Sequence, residues 1–185
     1  MGERRAKQRK GGPNELMNEL ERWANFYLLM SAAAATLLGL MFVVITLAAE
    51  RRPGDAAKIP IYLTPTVIYF ASVLYLAALL TFPNHTRLTA SLCTCLVGVA
   101  GLVYSGSHSI GRDKKSYADW RELIQYGGFP FAAYGLLVLG GVLLLHDTQR
   151  GLTFVAVGML SLLTVAVRNS WAMVITVVTT RPGQH

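Results

Sequence analysis

Arg168-Asn169-Ser170-Trp171 is the stretch of this sequence best equipped for chemistry. It lies inside Leu152 to Thr180, the last of five long apolar runs. A guanidinium offers a fixed charge and a planar fork of donors that binds a carboxylate, a phosphate or several oxygens at once. In a membrane-spanning helix such a group costs about 2.5–3.5 kcal/mol at mid-bilayer, so it marks a functional position by default. The other polar groups able to join it are Tyr69, Tyr104, His108, Tyr126 and Tyr134, with Glu50, Asp119 and Glu122 on the adjoining links. The candidate polar site is therefore Arg168, Asn169, Trp171, Tyr69, Tyr104, His108 and Glu122. Its expected chemistry is hydrogen bonding of the guanidinium within the bundle by a tyrosine hydroxyl, by backbone carbonyls, or by Glu122 or Asp119 folding in from the loop.

Several more specific chemistries lack their residues. Haem needs facing axial ligands, and the histidines are loop-adjacent: His108 on one side, His85 and His146 on the other, His185 at the terminus. No His, Cys or acid cluster has metal-ligand spacing. No acid stands beside a Ser or Cys nucleophile, and no Gly-rich phosphate loop follows a strand. Cys93 and Cys95 sit at i, i+2 in an apolar run, on different faces of a helix. That spacing suits neither a redox pair nor a metal. The expectation is no cofactor, no metal and, on balance, no enzyme.

The elements that position these groups follow from composition. Of 185 residues, 53% are hydrophobic and 15% charged, and mean hydropathy is +0.42. A soluble domain carries about 25% charged residues. The deficit comes from runs long enough to cross a hydrocarbon core of roughly 30 Å. The formal charge of +7 is concentrated in Arg4, Arg5, Lys7, Arg9 and Lys10. A short basic tail before a membrane helix determines topology or touches anionic lipid, so nucleic acid is set aside as a partner.

Along the chain, residues 1–13 read as a basic disordered tail and 14–25 as an amphipathic interfacial helix. Leu16, Met17, Leu20, Trp23 and Tyr27 share one face of it, and Glu15, Glu19 and Arg22 the other. The spacing predicts five transmembrane helices over 26–49, 65–82, 88–105, 129–145 and 152–180, with 181–185 as a tail. The fold class is thus all-α, an integral membrane bundle. Ser31, Ala35 and Gly39 form a small-residue stripe that predicts close helix packing, with Thr94 and Gly98 as further small positions. Thr64 and Pro65 look like a cap and first position for helix 2, Ser116 and Asp119 like a capping box, and Pro130 opens helix 4. An odd number of spans puts the termini on opposite sides. Lys and Arg counts tie at eight per side, and the basic tail breaks the tie toward a cytoplasmic N-terminus.

Trp23-x-x-Phe26-Tyr27 followed by the segment Ala33 to Val43 resembles the opening of a group of small, uncharacterised bacterial multi-pass inner-membrane proteins. The likeness continues in Leu63-Thr64-Pro65-Thr66, Tyr69-Phe70, Asp119-Trp120, Phe129-Pro130, Tyr134 and Arg168-Asn169-Ser170-Trp171. The resemblance implies a bacterial inner membrane and supplies no activity. In that group a histidine often stands at the position of Tyr69, and an acid at that of Ala172. Both departures argue against a proton relay or ion pair on helix 5.

The resulting expectation is a non-catalytic accessory or interaction protein of the inner membrane, assembling as a homo-oligomer or with another membrane protein. The alternative is a small oligomeric transporter or channel with a polar vestibule near Arg168. A membrane-embedded enzyme using Arg168, His108 and a tyrosine is a lesser one.

Overall fold

The computed structural model describes residues 13–51, 59–82, 86–110 and 128–179. Every element among them is a helix: α1 (Pro13–Arg51), α2 (Ile59–Thr81), α3 (Arg87–Ile110), α4 (Phe129–Leu143) and α5 (Thr148–Thr179). Four carry stretches long and apolar enough to cross a membrane: Asn18–Leu47, Thr64–Thr81, Arg87–Ser107 and Thr148–Ala172. α4 is shorter, with 15 residues, or about 22 Å at 1.5 Å per residue.

Local chemistry explains the boundaries, and some differ from expectation. α1 is continuous over 39 residues, so the segment 14–25 runs into the first span without a break. α2 begins at Ile59 and holds Pro65 inside it. The helix starts upstream because Ile59-Pro60 offers an equivalent proline-led start, and the apolar pattern already runs through Ile61 and Leu63. α3 is capped reciprocally: the Thr89 amide donates to Thr86 Oγ1 at 3.2 Å, and the Thr86 amide donates to Thr89 Oγ1 at 3.0 Å. This is a capping box with threonine at both ends. α5 begins a turn earlier than its apolar run, because Asp147 accepts the Arg150 amide at 3.1 Å and pairs with the Arg150 guanidinium at 3.1 Å. The expected capping box at Ser116 and Asp119 lies outside the described residues.

α4 packs between α3 and α5, α5 also packs on α2 and α1, and α1 lies along α2. α2 and α3 are consecutive but touch only lightly. The core face of α5 is Leu152, Val155, Met159, Leu162 and Ala166, a three-four spacing that keeps one stripe on the bundle axis. α2 contributes Tyr69, Phe70, Val73, Leu76, Ala77 and Leu80, and α1 contributes Tyr27, Met30, Ala34 and Met41.

The small-residue stripe of α1 lies beside that face and not on it. Ala35 and Gly39 are exposed and Ser31 is half-buried, and a Cβ on Gly39 would meet nothing within 4 Å. The stripe sits one position, or about 100°, from the residues that fill the core. Close approach occurs instead along α3, where Ser91, Thr94, Gly98, Gly101 and Ser105 are all buried at three-four spacing. Ser91 donates to the Gly141 carbonyl of α4 at 2.7 Å, and Cys95 Sγ lies 3.8 Å from the Val138 carbonyl. A Cβ on Gly98 would stand 3.0 Å from the Val138 nitrogen, and one on Gly141 would stand 3.1 Å from the Cys95 nitrogen. Such small-residue seams let backbones meet where lipid provides no hydrophobic drive.

Gly141→Val should therefore lower the midpoint of thermal unfolding in detergent, at a cost of about 1–3 kcal/mol for overpacking a rigid contact. Gly39→Val, followed by the same melt at a concentration where the chain is monomeric, should match wild type. Equal melts for the two variants would refute the seam.

Candidate polar site at the meeting of α2, α3 and α4

Tyr134 of α4 is fully buried. Its ring occupies the space that a Cβ on Gly101 of α3 would need, with ring carbons 2.1 Å from that position. Its hydroxyl meets Ser72 of α2 at 3.0 Å. Ser72 itself donates to the Ile68 carbonyl at 2.8 Å, so its single proton is committed and Tyr134 is the donor of the pair. The Tyr69 ring lies 6.1 Å from that of Tyr134, tilted by 56°, and its hydroxyl neighbours Ser105 of α3. Tyr104 brings a third, buried hydroxyl to the same place.

The structure thus joins Tyr69 and Tyr104 of the expected site with Tyr134, Ser72 and Ser105. Arg168 stands elsewhere in kind: it is exposed on α5, with Trp171 beside it at 66% exposure, while Ala166 faces the core and Asn169 is half-buried. His108 lies in α3 with its side chain outside the described set, and Glu122 lies outside the described residues altogether. Tyr126, Asp119 and the side chain of Glu50 are also outside it. The groove between α2 and α3, lined by Ile68, Ser72, Gly101, Tyr104 and their neighbours, does not include Arg168.

Chemically, the cluster is a set of neutral hydroxyls. It can hold helices in register and orient a hydroxyl toward the groove. Among the described residues no group of three or more His, Cys, Asp or Glu stands together as a metal site. Both cysteines are free. Ser72 and Gly101 were not singled out from sequence. The signal for Gly101 was available in the spacing Ser91, Thr94, Gly98, Gly101, Ser105, whereas Ser72 is a lone hydroxyl in an apolar run and carries none.

No family profile matches this chain, and neither a curated protein nor a solved structure is significantly similar to it.

The hydroxyl pair makes a non-additive prediction. Ser72→Ala strands the buried Tyr134 hydroxyl and should cost about 1–3 kcal/mol, whereas removing both partners is close to neutral. Thermal unfolding of Ser72→Ala, Tyr134→Phe and the double variant is the measurement. A double variant that melts above Ser72→Ala is expected; strictly additive losses would count against the bond.

Proposed function

We propose that the chain is a multi-pass accessory protein of a bacterial inner membrane, non-catalytic, that works by lateral contact with a second copy or another membrane protein. In this reading α4 is the fifth span, the first turns of α1 ride at the interface, and the N-terminus is cytoplasmic. The observation that carries the proposal is the outward face of α1. Its span is the most hydrophobic of the four, with mean hydropathy 2.4 in its most apolar window, yet only 17% of that window is buried, against 44% for α5. Leu29, Ala32, Thr36, Gly39 and Val43 lie on this face, all exposed and at three-four spacing. Small residues at that spacing suit a helix from outside the chain. Thr36 returns its proton to the Ala32 carbonyl at 2.8 Å, which leaves the face compatible with hydrocarbon or with a partner.

A photo-crosslinking residue at Gly39, introduced in cells, should yield one discrete protein adduct, while the same residue at Leu96 of α3 should label lipid only. Diffuse lipid labelling from both would remove the interaction reading.

The span count has its own test. With Cys93 and Cys95 replaced by Ala, single cysteines at Glu3 and Gln184 should label from opposite faces of the membrane. Labelling from one face would leave α4 as a helix that does not cross.

A further inference from the structure

We draw no further inference here: the strongest candidate, the open apolar groove between α2 and α3 lined by Ile68, Ser72, Tyr75, Val97, Ala100 and Tyr104, carries nothing because nothing in the structure shows what covers it.

Discussion

The side chain of Tyr134 is where this bundle is tied together. α2 and α3 hardly touch, and α2 is placed chiefly by α1 and α5, on which it packs. Tyr134 is the residue of α4 whose ring lies on α3 and whose hydroxyl reaches α2. Its ring demands a glycine at position 101, and its hydroxyl demands an acceptor, which Ser72 supplies. Both demands are strict for physical reasons. A Cβ on Gly101 would overlap the Tyr134 ring, so ring or backbone would have to move, and a phenol buried in an apolar interior costs about 1–3 kcal/mol when left unpaired. The Tyr134 ring lies on Gly101 of α3 and its hydroxyl reaches Ser72 of α2, two residues that also line the groove.

Hydroxyls elsewhere show what solvent the outside of this bundle is built for. Thr153, Ser161 and Thr164 of α5 each donate to the carbonyl four residues back, at 2.8 Å. An exposed hydroxyl in water has no need of that bond. In hydrocarbon, where each unsatisfied polar group costs several kcal/mol, it must return to its own helix. Inside the bundle the same residue types do the opposite: Ser91 bonds across to α4 and Ser72 meets Tyr134. Outward hydroxyls are thus satisfied within their own helix, while inside the bundle some, such as Ser91 and Ser72, reach a neighbouring helix and others, such as Thr94, still return to their own.

The helices were legible in the sequence because crossing a bilayer requires an apolar length that composition alone reveals. Their ends were legible only where a cap sits close to the apolar run. Asp147 with Arg150 starts α5 before its apolar residues begin, and the polar appearance of His146 to Gly151 hides this. Gly151 looked like part of a link; it is a helical position whose Cβ would press on Leu144. The small residues of α1 face outward and those of α3 face the bundle, and the sequence could not tell the two apart for one reason. Spacing tells that small residues share a face, and it cannot tell which way the face points. On α1 the bulky Tyr27, Met30 and Met41 take the core, whereas on α3 the glycines do. Of the polar site, Tyr69 and Tyr104 could be placed at one end by topology. Ser72 could not, because its role depends on a phenol that arrives from a helix 62 residues away.

Arg168 changes meaning once its face is known as well as its depth. Counted from Thr180 it lies about 18 Å inside, deep enough for the full insertion cost. It stands on the outward face of α5, where an arginine side chain can extend along the helix surface toward the headgroups. Trp171, on the same outward side and 66% exposed, is the residue type that settles at the headgroup boundary. The groove between α2 and α3 is lined without Arg168. What the bundle does spend structure on is the buried hydroxyl cluster and the glycine beneath Tyr134, and these shape a groove rather than a charged pocket.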